Sequence, residues 1–458
     1  MNVMTPSFGR RSSQPETVTP VPELPAPGGP PRSDLGPDPE SPATQLRMAC
    51  LAQLDPAALA SMTPDRLAQE IERVLSDIAT ERHFHLNARE QRQLAGELVN
   101  DMLGLGPLEP LFEDDSITDI MVNGPYRVFI ERRGKVVLSD IKFRDATHVA
   151  NISQRIASAI GRRIDESSPM VDARLKDGSR VNIVFPPLAL DGPYISIRKF
   201  SRQQIDFAKL ISYGSLTAPV ARVLEVAGRA RLNVIISGGT GSGKTTLMNA
   251  MSRMIDVGER VVTIEDAAEL QLQQPHVVRM ETRPPSLEGK GEVSQRDLIR
   301  NALRMRPDRI IVGEVRGSEA FDMLQAMNTG HDGSMSTVHA NTTRDAVTRV
   351  ENMVQMGNMG LPARSIRQQF VGAVDLIIQV ERHRDGKRRV TQVTDVCGLE
   401  GETIILNDIF NFQIEGESQT GGLVGHYRVN RSKPSFHQRL SYFGLDRAWA
   451  AALEETEQ

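Results

Sequence analysis

One stretch constrains this 458-residue chain more than any other. Leu232-Asn233-Val234-Ile235-Ile236 has the character of a buried strand, and Gly238-Gly239-Thr240-Gly241-Ser242-Gly243-Lys244-Thr245 follows at once. Thr246 to Met254 then reads as a helix. The run satisfies G-x-x-x-x-G-K-[ST] in full. Its glycines let backbone N–H groups curl around phosphate oxygens, and the start of the helix adds partial positive charge. In such a loop Lys244 reaches the β- and γ-phosphates, and the Thr245 hydroxyl coordinates Mg²⁺.

The loop alone implies binding. Turnover needs one group to orient water and another to stabilise charge on the γ-phosphate. Val261-Val262-Thr263-Ile264 runs into Glu265-Asp266, with Glu269 further on, and Arg309-Ile310-Ile311-Val312-Gly313 runs into Glu314. Acids at the ends of neighbouring parallel strands converge on the crevice that holds the loop, although a single one is as readily a helix cap. A third cluster, Thr329-Gly330-His331-Asp332-Gly333-Ser334 and then Ser336-Thr337-Val338-His339-Ala340-Asn341, follows an amphipathic helix. It reads as a polar loop and strand end near the phosphates, without the ligand spacing that zinc needs.

Around this core the chain divides by composition and period. Eleven of the 27 prolines fall within the first 42 residues, which hold only six Val, Leu, Ile or Phe. Residues 1–43 are therefore expected to be a disordered tail, either a tether or a proline-rich docking peptide. Residues 44–106 read as a helical module, with start signals at Asp55-Pro56, Thr63-Pro64 and the Asn87/Glu90 pair. Residues 107–205 form an α+β domain of short strands around Asn123-Gly124, Arg133-Gly134 and Asp177-Gly178 turns. Phe200 to Tyr213 reads as a linker. Residues 206–410 alternate strand and helix, the pattern of a mostly parallel sheet, and 411–458 are a short C-terminal segment. The basic turn Arg382-His383-Arg384-Asp385-Gly386-Lys387-Arg388-Arg389 reads as a solvated hairpin, with docking to an acidic or lipid surface as its functional alternative.

Composition excludes rather than assigns. A net charge of −4 and 4% aromatic residues supply neither the funnel nor the stacking platform of a nucleic-acid translocase. Two cysteines, Cys50 and Cys397, cannot form a disulfide scaffold and suit a reducing compartment. No 18-residue apolar run is present and the start lacks the apolar core of a signal peptide, so a cytoplasmic protein is expected.

Four boxes in order resemble the secretion-superfamily ATPases that drive type II secretion, type IV pili and type IV secretion. They are GGTGSGKT (238–245), the acidic TIEDAAEL (263–270), RIIVGEVRG (309–317) with Gly-Glu where other P-loop proteins carry Asp, and TGHDGSMSTVHANT (329–342). NGPYRVFIERRGK, SSPMVDARLKDGSRVN and the stretch from RPPSLEG to GEVRG look like the CpaF/TadA branch, the tight-adherence (Flp) pilus assembly ATPases. The resemblance covers most of 46–446. It implies a RecA-like P-loop ATPase domain, preceded by an α+β domain that closes over the nucleotide from the same or a neighbouring subunit. It also implies ATP and Mg²⁺ held by the loop through Thr246, with Thr245 and Glu265 serving the metal through nucleotide and water. Glu314 would activate water, Glu265 with Asp266 would organise the metal and water, and His339 would contact the γ-phosphate region. Arg174, Arg180 and Arg198 are the expected phosphate contacts from the α+β domain, and Arg180 and Arg198 have no acidic neighbour in sequence. The family acts as hexameric rings on platform proteins of the bacterial inner membrane, to which the chain would be peripheral. That points to a motor for a Tad-type pilus. The alternatives are the traffic ATPase of a type IV secretion system and a nucleotide-gated scaffold with little turnover.

Overall fold

The computed structural model describes residues 41–53, 62–84, 87–132, 134–200, 205–283, 285, 290–357, 360–418 and 421–455. Nearly all of the proline-rich segment, and the Asp55-Pro56 signal, lie outside them. The helix Pro42–Gln53 starts inside the stretch expected to be a tail. With the helices Pro64–Glu81 and Ala88–Leu103 it closes a small core of Leu46, Cys50, Leu67, Ile71, Leu75 and Leu98. Apolar residues three and four apart give each helix one buried stripe. Asn87 and Glu90 form the expected reciprocal cap. At the far end of that helix, Asp101 accepts from Arg144 at 2.6 Å and pairs with His148 at 3.0 Å, which docks the module onto the next domain.

That domain is an antiparallel sheet of β1 (Ile117–Asn123), β2 (Val128–Arg132), β3 (Lys135–Leu138), β4 (Met170–Arg174), β5 (Arg180–Val184) and β6 (Tyr194–Arg198), in the order β3-β2-β1-β6-β5-β4. Alternation assigns the two faces. Ile120, Val122, Val181, Ile183, Ile195 and Ile197 pack in one core with Val149, Ile152 and Ile156 of the helix Ala146–Ala159. The opposite face is polar. There the register sets Arg174 beside Arg180, Arg180 beside Arg198, and Arg198 beside Asp119, one row across four strands. The segment expected to be a linker contains a helix, Phe207–Ser212, which buries Phe207 and Leu210 in the core of the following domain.

The larger sheet has nine strands: β7 (Val234–Gly238), β8 (Val261–Glu265), β9 (Val277–Glu281), β10 (Arg309–Val312), β11 (Met335–Val338), β12 (Leu376–Arg382), β13 (Arg388–Glu400), β14 (Thr403–Glu417) and β15 (Leu423–Val429). Their order is β15-β14-β13-β12-β7-β11-β10-β8-β9. The run β12-β7-β11-β10-β8-β9 is parallel throughout, and β13 to β15 continue it as an antiparallel meander. β7, β8, β10 and β11 are buried along their whole length, as strands covered on both faces must be. The helices Ala218–Arg229 and Lys244–Ser252 cover one face. The helices Glu319–Asn328, Thr343–Met356 and Ala363–Ala373 cover the other. At the amino ends of the strands, fully buried Arg309 forks onto Glu259 with two 2.7 Å bonds, and a buried charge of this kind survives only when so paired.

The C-terminal boundary differs from expectation. β14 runs through residue 410, and the helices His437–Tyr442 and Asp446–Glu454 place Leu440, Trp449 and Leu453 in the same core as Val220 and Leu224. Residues 411–455 thus complete the domain instead of trailing from it. Among the described residues no helix is long and apolar enough to cross a membrane.

Candidate nucleotide site

β7 is the middle strand of the nine-stranded sheet, between β12 and β11, and delivers the glycine loop to the carboxyl edge of the sheet. Gly238 leaves the strand in a cramped position. A Cβ there would stand 2.2 Å from the Val380 carbonyl and 2.6 Å from the Ser242 hydroxyl. Gly241 and Gly243 have φ of 68° and 102°, the left-handed region that curls the loop and opens the helix Lys244–Ser252. Lys244 is buried, and its Nζ donates to the carbonyls of Gly238 at 3.0 Å and Gly239 at 2.9 Å. Burial pulls its pKa below the usual lysine value, opposed by the charge of Glu314. The Ser242 hydroxyl is buried without a hydrogen-bond partner. Gly239, Thr240 and Gly241 are exposed at the crest, and Thr245 and Thr246 are half-buried behind them.

Opposite the loop stand β10 and β11. Val315 N–H donates to the Thr337 carbonyl at 3.0 Å and the Thr337 hydroxyl to Gly313 O at 2.8 Å, which staples the turn carrying Glu314 to the strand carrying His339. Glu314 Oε1 lies 2.8 Å from His339 Nε2, and Oε2 accepts from Arg316 at 2.7 Å. His339 Nε2 lies 3.4 Å from Lys244 Nζ. Burial, and then the Lys244 charge, lower the pKa of His339 while Glu314 raises it. Because Nε2 faces both neighbours, the neutral ring either donates to Glu314 or accepts from Lys244, and does not do both at once. Arg316, which sequence reasoning passed over, also lies 3.5 Å from Asp266 and so links the two acidic strand ends. Its signal was its place two residues after Glu314.

Glu265 sits deeper. Its Oε2 accepts from the backbone N–H groups of Glu269 at 2.7 Å and Leu270 at 2.8 Å, while Oε1 is buried with no partner. Burial pushes its pKa up to about 7. Its side chain packs on Gly313, the residue before Glu314, where a Cβ would approach the Glu265 Cγ to 2.9 Å. His331 bonds the Ala326 carbonyl instead and terminates a helix.

The arginine row closes the crevice from the α+β domain. Arg174, Arg180 and Arg198 line one cavity of about 230 Å³ together with Thr245, Thr246 and Asn249. Arg180 and Arg198, without an acidic neighbour in sequence, gain acidic partners from the fold. Arg180 forks onto Asp172 at 3.0 and 2.5 Å, and Arg198 contacts Asp119 at 3.2 Å, partners brought by strand pairing. Arg174 reaches across to Glu281 of β9 at 3.3 Å, and its Nε and Nη2 are buried without partners. The basic hairpin exposes Arg382, Arg384, Lys387 and Arg388, as a solvated hairpin does, but also touches the site. Arg388 donates to the Gly241 carbonyl at 2.8 Å, so the hairpin lies against the glycine loop.

The residues present fit a nucleotide polyphosphate. A glycine cradle whose first member, Gly238, has no room for a Cβ, a buried lysine, orphaned Ser242 and Arg174 donors, and facing acids are the donor and acceptor set such a ligand needs. Thr245 and Glu265 are the oxygens on hand for its metal ion. Among the described residues no group of three or more metal-ligating side chains forms a separate site.

A parallel sheet with a glycine loop at its carboxyl edge and acids on the neighbouring strand ends defines a P-loop α/β protein. More narrowly, the chain belongs to the type II/IV secretion system protein family, whose model matches residues 101–397. A putative conjugal transfer protein of Mycobacterium tuberculosis is 40% identical over 310 residues, 66% of this chain and 88% of that protein. The type IV secretion system protein VirB11 of Bartonella quintana is 31% identical over 341 residues, 66% of this chain and 94% of its own length. Among solved structures, the VirB11 ATPase of the Brucella suis type IV secretion system, in complex with sulphate, is 30% identical over 63% of this chain and 95% of that one, with a TM-score of 0.34.

Proposed function

We propose that this chain is an ATP-hydrolysing motor that powers a cell-envelope machine, the assembly of a tight-adherence-type pilus. One observation carries the enzymatic part: Lys244, His339 and Glu314 form a connected chain at the glycine loop, with 3.4 Å and 2.8 Å between successive groups. ATP supplies the phosphoanhydride bond, and Mg²⁺ neutralises its oxygens. Lys244 exchanges its carbonyl partners for phosphate, and Glu314 holds the attacking water and takes its proton. His339 passes between them as a neutral donor to the γ-phosphate, while Glu265 with Thr245 orders the metal side. The row Arg174, Arg180 and Arg198 releases its carboxylates to meet phosphate as the α+β domain closes, in one subunit or across a hexameric ring. The machine's platform proteins lie in the inner membrane, and the motor is cytoplasmic and peripheral to it.

The pilus assignment rests on the CpaF/TadA-like stretches. A second reading, the traffic ATPase of a type IV secretion system, is favoured by the relatives named for conjugal transfer and VirB11. Phosphate release measured with and without the cytoplasmic domain of a candidate pilus platform protein separates them. Stimulation supports the pilus motor; no response, beside stimulation by a conjugation component, supports traffic. Light scattering with an ATP analogue checks the ring, and a monomer at every concentration contradicts it.

A further inference from the structure

The turn between β12 and β13 comes to the glycine loop because β12 is the neighbour of β7, with Val380 in register with Gly238. Of its cations, Arg389 is held internally by Asp385, at 3.1 and 2.7 Å. Arg388 points elsewhere. Its Nε donates to the Gly241 carbonyl at 2.8 Å, and its Cδ lies 3.4 Å from the place of a Cβ on Gly243. A trans peptide points its C=O and N–H in opposite directions. A guanidinium that holds the Gly241 oxygen outward therefore holds the Ser242 N–H inward. That N–H makes only a long 3.4 Å contact with the Gly239 carbonyl, weaker than an ordinary bond and readily exchanged for a phosphate oxygen.

The same arginine also looks toward the other domain. Its Nη2 lies 3.8 Å from Glu131 Oε1, and Arg382 Nη2 lies 3.9 Å from that same oxygen. Arg382 donates as well to the Gly134 carbonyl. Glu131 and Gly134 flank the β2–β3 turn of the α+β domain, residues far in sequence from the loop they reach. At these distances the carboxylate is a shared counter-charge for the two guanidiniums and not a hydrogen-bond partner of either.

We propose that Arg388 is a positioning residue of the phosphate loop, aiming the Ser242 N–H, and that Glu131 ties this aim to the position of the α+β domain of the same chain. The proposal rests on the nucleotide reading of the loop. When the β2–β3 turn withdraws, Arg388 loses its counter-charge and its hold on Gly241 slackens. Domain position and phosphate affinity then change together.

The test is a double-mutant cycle on the full chain, with a fluorescent, slowly hydrolysed ATP analogue as the probe. Arg388→Gln is expected to weaken binding about tenfold, the scale of a hydrogen bond from a charged group, and Glu131→Gln about threefold. The double variant should be no weaker than Arg388→Gln alone, because both act through one guanidinium. Arg388→Lys, which keeps a charge and a donor, should recover part of the loss. Affinity unchanged in Arg388→Gln, or losses that simply add in the double variant, would overturn the proposal. Should Arg388→Gln fail to fold, Arg388→Lys with Glu131→Gln completes the same cycle. A wild-type chain that does not bind the analogue overturns the nucleotide reading itself.

Discussion

The two walls of the crevice are built on opposite principles. The glycine loop is backbone and local in sequence, held by its own strand, its own helix and the Lys244 bonds to Gly238 and Gly239, with Arg388 as a distant support. The arginine row is side chain, drawn from three strands of another domain, and each member rests on a carboxylate: Glu281, Asp172 or Asp119. The first wall keeps its backbone shape and has two Lys244 bonds to carbonyls to exchange for phosphate. The second must give up ion pairs, so it answers to a ligand only when the domain moves. A fixed cradle facing an exchangeable clamp is how a binding site couples to motion.

Substitutions on the two walls should therefore differ in kind. Lys244→Ala removes a buried donor aimed at developing charge, and phosphate release should fall by about 10²–10³, with nucleotide affinity falling too. Gly238→Ala forces a methyl against the Val380 carbonyl. It should cost about 1–3 kcal/mol in a denaturant melt and weaken nucleotide binding with it. On the clamp, Arg174→Ala should lower turnover about tenfold, since two of its N–H groups are orphaned and await a ligand. Arg180→Ala and Arg198→Ala should cost less, because their side chains are 39% and 54% exposed against 26% for Arg174. Equal losses at all three positions, with no change in affinity at Lys244, would erase the contrast.

The smallest effect concerns pH. Glu265 has a pKa raised by burial to about 7, above its value in the unfolded chain. The unfolded state therefore binds fewer protons between these two values, and stability falls as pH rises through that window. Thermal melts from pH 5 to 8 should show this decline in the wild type and a flatter profile in Glu265→Gln. Parallel profiles would remove the buried carboxyl from the account.

Much of the cradle was legible in the sequence because the loop and both its flanking elements are contiguous. Glu314, which ends an apolar run, and His339, at the end of a polar strand, were legible one step further, since parallel strands bring such ends together. The clamp was only half legible. Arg174, Arg180 and Arg198 could be singled out, but the pairing of Arg198 with Asp119 spans 79 positions and comes only from the β1–β6 register. Arg388 and Gly241 are 147 positions apart, so a hairpin that reads as solvated turns out to buttress the loop. The C-terminal boundary failed for a related reason. Trp449 and Leu453 reveal their core only when the helix Ala218–Arg229 is placed beside them.

Glu314 bears the central claim, because it joins the cradle to the chemistry. The direct measurement is analogue binding and steady-state phosphate release on Glu314→Gln beside the wild type. The amide keeps the size of the side chain and its contact with His339 but cannot take a proton, so binding should hold while release drops by about 10²–10⁴. Undiminished phosphate release in the variant would contradict the assignment.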